Sequence, residues 1–399
     1  MKKSGYDSII GNNLNVVFCT FFMLLPFVQT SYYIFIPILS KISIVWRVAI
    51  LLYILFKDIF LNNDKKIKID KLLLYILICN TYMIIPTLIN NGSVTKFCGY
   101  LLDSVGLMIV IKYLSNKYNY RFLYAVEFFC RSMMYINFFT MILKPDGLFV
   151  EDNGYLVTRY LFLGMDNQAA VLVITFMMII IASEKYKKVT SKIFWLDIGI
   201  FIGSIVLIWC GNSIVALGAI GVILIYQKIF NRKITVRDSI HILIVLFLFV
   251  VVFQGFRIFS VFIVNGLGKD MTLSGRTSIW SNGIKEWITK PIVGHGFHES
   301  EALISFGNVS GYRRGAHNEI LHLLLHGGVI YLGLFYLCFI KVDDITKKIS
   351  KNKVINILIL GVLANFIMGI ADTYGHLVGL YFIIGIMCYC KDIIVKSKV

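Results

Sequence analysis

Long apolar runs separated by short polar segments dominate the chain. A helix needs about 20 mostly apolar residues to span a bilayer, whereas a membrane strand alternates apolar and polar residues over about ten. The runs here are longer than such strands and apolar on all sides, so they predict an all-α, polytopic integral membrane protein with about twelve transmembrane helices. The runs lie at residues 14–37, 42–60, 72–90, 97–114, 122–143, 168–183, 193–210, 213–230, 240–256, 318–340, 354–371 and 376–390.

The composition supports this class. Of 399 residues, 58% are hydrophobic and 15% are charged, and the mean hydropathy is +0.78. Soluble proteins are about 45–50% apolar and about 25% charged, and a soluble fold of this length cannot bury so much apolar surface. The eight cysteines lie in apolar runs without the spacing of metal ligands. We therefore interpret them as small apolar residues within helices, and predict neither a disulfide framework nor a metal site.

The net formal charge of +17 bears on topology. In a soluble protein it would suggest a nucleic acid partner, but polytopic proteins collect Lys and Arg in their cytoplasmic loops. With the N-terminus inside, the inner loops hold most of these residues and the short outer loops hold few. The asymmetry predicts cytoplasmic N- and C-termini, and no nucleic acid partner is needed to explain the charge.

Two predicted outer segments, residues 144–167 and 257–317, are longer than simple hairpins. Loops of this length usually have a function. The chain thus divides into residues 1–256 with nine helices, the large outer loop 257–317 between helices 9 and 10, and residues 318–399 with the last three helices. Basic residues in the large loop oppose the topology rule, which indicates either an external anion or a long loop exported regardless of charge. They are Arg257, Lys269, Arg276, Lys285, Lys290, Arg313 and Arg314.

The large loop contains a short amphipathic pattern. Trp280, Ile284, Trp287 and Ile288 recur at helical spacing. This predicts a short helix, which either lies on the outer leaflet or packs within the loop. The pattern indicates no chemistry by itself.

A glycine-rich turn and a histidine pair follow that helix. Pro291 stops the helix, and Gly294 and Gly296 allow a tight turn with close backbone approach. As a phosphate-binding motif this GxG is weak, because the strand and third glycine of a dinucleotide loop are lacking. His322 and His326 lie four residues apart, which predicts a polar groove or interhelical hydrogen bonds; no third metal ligand is evident.

Charged residues within the apolar runs must find partners, because an unpaired charge in a bilayer is unfavourable by about 2.5–3.5 kcal/mol. Glu127 and Arg131 are four residues apart, which predicts an ion pair on one helix. Asp372, Tyr374 and His376 lie at the outer turn between the last two helices. They form either a polar turn or part of an acceptor site.

Three stretches resemble Wzy-type O-antigen and capsular polysaccharide polymerases and O-antigen ligases. They are TRYLFLGMDNQAA, GRTSIWSNGIKEWITKPIVGHGF and HNEILHLLLHGGVIY. The ligase-like pattern of the last stretch matches His317, Asn318, Gly328 and Tyr331. The Arg…Gly…Asn pattern of the first matches Arg159, Gly164 and Asn167, with Asp166 where the family usually has Pro. No motif separates polymerase from ligase.

The resemblance implies a GT-C-like membrane glycosyltransferase that needs no cofactor or metal. Its substrate would be an undecaprenyl-diphosphate-linked oligosaccharide in the outer leaflet of the bacterial inner (plasma) membrane. A sugar hydroxyl of a second lipid-linked unit attacks the anomeric carbon, and the lipid diphosphate leaves. A flippase and a chain-length regulator are implied as partners in O-antigen, capsule or exopolysaccharide synthesis, besides the lipid bilayer itself.

The resemblance also implies residue roles on the periplasmic or extracellular face. Arginine matches a diphosphate with a planar fork of donors, so Arg276 and Arg159 are assigned to the leaving group. His317 either accepts the proton of the attacking hydroxyl or contacts the diphosphate, and Glu319 is a second candidate base. Further candidates for binding the diphosphate or glycan are Arg313, Arg314, Asn318, Glu319 and Arg257.

Two other functions remain open from the sequence. An O-antigen ligase or protein O-oligosaccharyltransferase would use the same lipid donor with a different acceptor. A flippase of lipid-linked oligosaccharides also has about twelve spans, but normally has short loops and charges within the spans.

Overall fold

The computed structural model describes residues 5–28, 30–60, 70–152, 157–188, 190–261, 264–265, 275–298, 304–305, 313–373 and 377–396. The α-helices are α1 (Gly5–Leu24), α2 (Ser31–Phe35), α3 (Pro37–Phe60), α4 (Lys71–Tyr82), α5 (Ile84–Ile89), α6 (Val94–Leu101), α7 (Leu107–Tyr118), α8 (Tyr120–Leu143), α9 (Asp166–Lys187), α10 (Lys192–Ile208), α11 (Gly211–Ile229), α12 (Val236–Phe247), α13 (Arg276–Thr289), α14 (Glu319–Thr346), α15 (Lys353–Met368), α16 (Val378–Tyr389) and α17 (Lys391–Lys396). The strands are β1 (Phe149–Asp152), β2 (Val157–Leu161), β3 (Gly164–Met165), β4 (Ile304–Ser305) and β5 (Arg313–Arg314).

Among the described residues, 7 helical stretches are long and apolar enough to cross a membrane. They are Pro37–Lys57, Lys71–Ile89, Val94–Tyr118, Tyr120–Leu143, Asp166–Lys187, Gly211–Ile229 and Glu319–Ile349. Shorter apolar helices occur at Leu14–Phe27, Lys353–Met368 and Val378–Tyr389. Helical residues occur in every predicted apolar run. The all-α, polytopic membrane architecture is confirmed, whereas the number of twelve spans, the loop placement and the GT-C-like character stay predictions.

Helices α9 and α15 form the centre of the bundle. They pack against each other, and α9 also contacts α8 and α10. Every side chain from Ala169 to Ile180 is buried. A helix that is apolar all round must be surrounded by other helices or by lipid, so α9 takes the inside position. Many apolar side chains of α3 and α11 are exposed, as expected of helices that face lipid.

A buried charge network joins α8, α9 and α10. The predicted Glu127–Arg131 pair is confirmed, with Arg131 Nη1 2.7 Å from Glu127 Oε1. Arg131 also contacts Glu184 at 3.0 Å and Asp197 at 2.8 Å. Lys187 lies 2.6 Å from Glu127 and 3.2 Å from Glu184. Each charge therefore has a partner of opposite sign, as a membrane interior requires.

The segment 144–167 forms a small antiparallel sheet of order β1-β2-β3. Val150 pairs with Arg159 between β1 and β2, and Tyr160 pairs with Met165 between β2 and β3. The sheet runs directly into α9, because β3 ends at Met165 and α9 begins at the next residue. The sheet thereby fixes where the first turn of α9 lies.

Helix α14 is interrupted at Gly328. The backbone of Gly328 has φ 64° and ψ −166°, and the segment Pro291–His298 packs against the break. The backbone N–H of Val329 donates to Pro291 O at 2.9 Å. A Cβ atom at position 328 would lie 2.1 Å from Ile292 O, so only glycine fits. Groups released by the break are thus bonded by protein, as non-helical backbone at membrane depth requires.

The close backbone approach predicted at Gly294 and Gly296 is present. A Cβ atom at Gly294 would lie 2.6 Å from the backbone nitrogen of Gly328, and one at Gly296 would lie 2.4 Å from Thr87 Cα. The partner of this GxG turn is therefore protein backbone from α14 and α5. The turn holds α13 against the bundle.

Candidate active site

A buried carboxylate, Asp372, lies at the centre of a polar cluster, in the turn between α15 and α16. One of its oxygens lies 2.9 Å from His317 Nδ1 and accepts the backbone N–H of Thr373 at 2.9 Å. The other oxygen accepts the side-chain amide of Asn167 and lies 3.7 Å from Arg276 Nη2. Asp372, His317, Arg276, Asn167 and Cys210 together form the Asp372 cluster.

The start of α14 is locked to the Asp372 turn. Asn318 caps α14, because its side-chain oxygen accepts the backbone N–H three residues later at 2.8 Å. The amide of Asn318 donates to Ile370 O at 2.8 Å, and the backbone N–H of Glu319 donates to Gly369 O at 2.7 Å. His317 adopts a left-handed backbone conformation with φ 44°, which is unfavourable for a non-glycine residue. These bonds hold its ring opposite the carboxylate.

Helix α13 supplies the cation of the cluster. Arg276 is its first residue, and Gly275 before it has φ 82°. Trp280, one turn later, is buried, and its indole N–H donates to His317 O at 3.2 Å. At Trp280 the predicted stripe packs against the protein, whereas Ile288 at the other end of the stripe is exposed. The same helix thus positions both Arg276 and His317.

The first turn of α9 closes the cluster from the other side. Cys210 caps the start of α11, and its thiol donates to the side-chain oxygen of Asn167 at 2.9 Å. The amide of Asn167 is thereby oriented toward Asp372. Cys210 is buried in the core, as interpreted from the sequence, and also makes this polar contact in the cluster.

The charges of the cluster favour ionised Asp372. Burial raises the pKa of this carboxyl, but the hydrogen bond from His317, the charges of His317 and Arg276, and the Thr373 N–H together hold the pKa below its usual value. The exposed fractions of the side chains are 30% for His317, 19% for Arg276 and 10% for Asp372. The basic groups therefore face the open side, with the carboxylate behind them.

This geometry favours one tautomer of a neutral His317 ring. An ionised carboxylate only accepts hydrogen bonds, so Nδ1 of the neutral ring donates to Asp372 and Nε2 has the lone pair. A carboxylate behind a histidine orients the ring and stabilises the imidazolium that forms after proton uptake. The pair can therefore act as a general base beside a guanidinium.

Arg159, assigned from sequence to the leaving group, is engaged near the cluster. Its Nε donates to Asp166 at 2.9 Å, and its terminal nitrogens donate to Pro145 O at 2.9 Å and Leu207 O at 3.0 Å. Asp166 directly precedes Asn167. These contacts link β2 to the start of α9, the end of α10 and the segment after α8. The predicted contact of Arg159 with a diphosphate stays a prediction.

The remaining predicted arginines lie elsewhere. Arg257 is exposed in a short 3₁₀ turn, Gly255–Phe259. Arg313 and Arg314 form β5, which pairs antiparallel with β4, but their side chains lie outside the described residues. Their predicted roles in substrate binding stay predictions. Two residues that the sequence placed beside Asp372 also lie outside the described residues: Tyr374 and His376.

The sequence predicts that Asp372 belongs either to a polar turn or to an acceptor site. In the structure it lies in a turn, at the centre of the Asp372 cluster. The sequence feature that pointed to this role of Asp372 is an acid between the last two apolar runs, on the same predicted side as His317.

The predicted histidine pair lies apart from Asp372 in the chain. His322 and His326 have ring centroids 4.2 Å apart, and His326 Nδ1 lies 2.8 Å from Gly296 O. Within the described part of the chain, no group of three or more His, Cys, Asp or Glu could hold a metal ion.

Comparison with known proteins gives one family match, which covers part of the chain. Residues 162–336 match a family model described as O-antigen ligase. The matched range includes four residues of the Asp372 cluster and ends before Asp372 itself. A search of curated proteins gives no match. The match supports the O-antigen ligase-like superfamily, without distinguishing its polymerases from its ligases.

Proposed function

We propose that this protein is a glycosyltransferase of the bacterial inner (plasma) membrane that acts on undecaprenyl-diphosphate-linked oligosaccharides at the outer face. In the reaction we favour, it joins lipid-linked repeat units into a polysaccharide. The observation that carries the proposal is the Asp372 cluster, in which a His–Asp pair and an arginine meet at one carboxylate. Four of its residues lie in the range that matches the O-antigen ligase family.

The proposed reaction is a displacement at the anomeric carbon of the donor sugar. The hydroxyl oxygen of the acceptor sugar forms the new C–O bond, and the bond between this carbon and the diphosphate oxygen breaks. The hydroxyl proton passes to Nε2 of His317, and undecaprenyl diphosphate leaves with the electron pair. Asp372 orients His317 and stabilises its charged form.

Arg276 is the residue we assign to the leaving group. Negative charge builds up on the diphosphate as the bond breaks, and a preorganised cation stabilises this charge more than it stabilises the intact donor. Removing one such donor typically reduces the rate about 100- to 1000-fold. Arg159 would act indirectly, by holding Asp166 and so the start of α9.

A ligase is the second candidate, because the matching family model is described as O-antigen ligase. It would use the same donor, base and leaving group, and transfer the glycan to a different acceptor. The two functions therefore differ in the acceptor rather than in the Asp372 cluster.

The test is an assay in proteoliposomes with defined lipid-linked repeats, comparing the protein with Arg276→Ala and His317→Ala. We expect both variants to lose at least about 100-fold in transfer rate. Lys285→Ala is the matched control, because Lys285 is exposed on the same helix as Arg276, and it should keep normal activity. Normal glycan length with both cluster variants, inserted at normal levels, would refute the proposal.

A deletion strain separates the candidate functions. Loss of a polymerase leaves single repeat units, and loss of a ligase leaves long polymer that is not attached to its acceptor. Loss of a flippase leaves no glycan outside. Analysis of glycan length and attachment in the deletion strain distinguishes these three outcomes.

A further inference from the structure

A cavity of about 50 Å³ is lined by residues close in the chain to members of the Asp372 cluster. It is formed by the first turns of α9, α14 and α16, the end of α15 and one side chain of α12. Glu319 lines it two residues after His317, and Gly369 lines it three residues before Asp372. The cavity and the cluster therefore share the start of α14 and the turn after α15.

The walls of the cavity are mostly apolar, with one acid, Glu319, and two amides, Gln168 and Asn365. Leu163, Leu172, Phe366 and Val378 are among the apolar lining residues, and Glu319 is the charged side chain among the described lining residues. Glu319 is 6% exposed. A carboxyl group has acceptor oxygens in either protonation state. The cavity thus combines an acceptor for N–H or O–H groups with space for a small apolar group.

Two glycines keep this space open. A Cβ atom at Gly369 would lie 3.1 Å from Glu319 Cβ, so glycine lets the Glu319 side chain pass. A Cβ atom at Gly379 would lie 3.0 Å from the side-chain oxygens of Asn365 and Thr175. Larger residues at these positions would crowd the acid and the polar wall.

We propose that this cavity binds the acetamido group of the donor sugar that is attached to the diphosphate. The N–H of the acetamido group donates to Glu319, and its methyl group fills the space between the apolar walls. The inference rests on the proposed function, because the cluster must hold the adjoining diphosphate.

Other substrate groups fit the cavity less well. A phosphate or an acidic sugar would place its own negative charge between mostly apolar walls and beside a carboxyl group. A hydroxyl group would supply a donor but leave the apolar space unfilled, and a polyprenyl chain would fill the space but supply no donor and is far longer than the cavity. The acetamido group satisfies both features, because it has a donor and a methyl group on one short substituent.

The first experiment compares two undecaprenyl diphosphate oligosaccharides that differ only in the first sugar, with either an acetamido or a hydroxyl substituent. We expect the protein to use the acetamido donor at least tenfold better. Glu319→Leu should reduce this preference to threefold or less, whereas Glu319→Gln, which retains an acceptor oxygen, should keep most of it. Glu286→Gln is the matched control on α13, where the carboxylate is exposed, and should leave the preference unchanged.

The second experiment tests the size of the cavity with a donor that has a propanamido group, one methylene larger. The protein should use this donor at least fivefold more slowly than the acetamido donor. Leu172→Ala enlarges the cavity. In this variant the rate with the propanamido donor should be within twofold of the rate with the acetamido donor. This series decides the matter if Glu319→Leu fails to fold.

The outcomes separate the two levels of the proposal. Equal use of the acetamido and hydroxyl donors, or equal use of all three donors, overturns the cavity assignment and leaves the glycosyltransferase function standing. No transfer from any donor by the folded protein overturns the proposed function itself.

Discussion

Asp372 and His317 form the pair on which the proposed chemistry depends. The carboxylate is buried and the histidine is partly open, so the open nitrogen of the ring is the one available to a substrate hydroxyl. Because Asp372 is more acidic in the folded protein than in the unfolded chain, its charged form stabilises the fold. This stabilisation is complete above the ordinary pKa of Asp, about 3.9, and is lost as the pH falls through the lower folded value.

This linkage predicts the pH dependence of an isosteric variant. Asp372→Asn removes the charge, so at pH 7 it should unfold at a lower temperature than the unmodified protein. The difference should shrink as the pH falls below about 4, since Asp372 then binds a proton too. Thermal unfolding in detergent at stepped pH measures it. Asp344→Asn, at an exposed site, is the control, and a difference for Asp372→Asn that stays constant down to pH 2 would contradict the assignment.

Helix α13 connects the cation to the base. Its first residue is Arg276, and the indole N–H of Trp280 bonds the backbone carbonyl of His317. The strained backbone of His317 is therefore held from the same helix that holds the arginine. Loss of the hydrogen bond from Trp280 should therefore affect the orientation of His317 more than substrate binding.

Trp280→Phe removes this hydrogen bond while keeping a large apolar ring. We expect kcat to fall about tenfold, equivalent to about 1.4 kcal/mol, with KM within twofold of normal. Trp287→Phe, which loses a similar bond to Pro291 O, is the control and should retain normal kcat. Steady-state kinetics in proteoliposomes measures both. An unchanged kcat, or a loss confined to KM, would argue against a positioning role for Trp280.

The break in α14 is a second feature in which one structural element holds another in place. The Pro291–His298 segment bonds the interrupted backbone and holds the C-terminal end of α13. The break depends on glycine, both for its positive φ and for its contact with Ile292 O.

Gly328→Ala should therefore destabilise the protein strongly, by more than about 2 kcal/mol. Gly333→Ala is the matched control on the same helix, because a Cβ atom there meets nothing within 4 Å. That control should be neutral or stabilising by up to about 1 kcal/mol, as alanine favours helix. Expression and thermal unfolding in detergent distinguish the variants, and similar stability of the two would contradict the close contact at Gly328.

At the scale of the whole molecule, the charge asymmetry of the loops sets the predicted orientation. It puts α13 outside and the segment between α14 and α15 inside. The Asp372 cluster and its cavity would then open to the outer leaflet, where a lipid-linked donor resides. This orientation is a prediction that labelling can test.

Cysteines introduced at Lys285 and Lys351, both exposed, report the two sides. Exposed Cys98 should first be replaced by Ser. We expect a membrane-impermeant maleimide to label the Lys285→Cys variant in intact cells and the Lys351→Cys variant only after permeabilisation. Labelling of both positions from one side would rule out the proposed topology.

Much of the fold could be predicted from the sequence, because a long apolar run in a bilayer must satisfy its backbone hydrogen bonds by forming a helix. Each run contains helix, and the Glu127–Arg131 pair follows from the spacing of one helix. The sheet of residues 149–165 and the break at Gly328 were not predicted. The break depends on a contact between segments that are distant in the chain, Gly328 with Ile292. The sheet is local, but its strands lie in a stretch that the sequence identified only as a long outer segment.

The candidate site divides in the same way. The sequence by itself determined the membrane class, the helical segments, the charge asymmetry and the candidates Arg276 and His317, because these depend on residue type, local spacing and motif resemblance. Only the tertiary structure decided that Asp372, Asn167 and Cys210 join them, and that Arg159 donates to Asp166. The physical reason is that the cluster is assembled from the ends of four helices and a turn, and the meeting of helix ends is set by packing across the bundle, which no local pattern encodes.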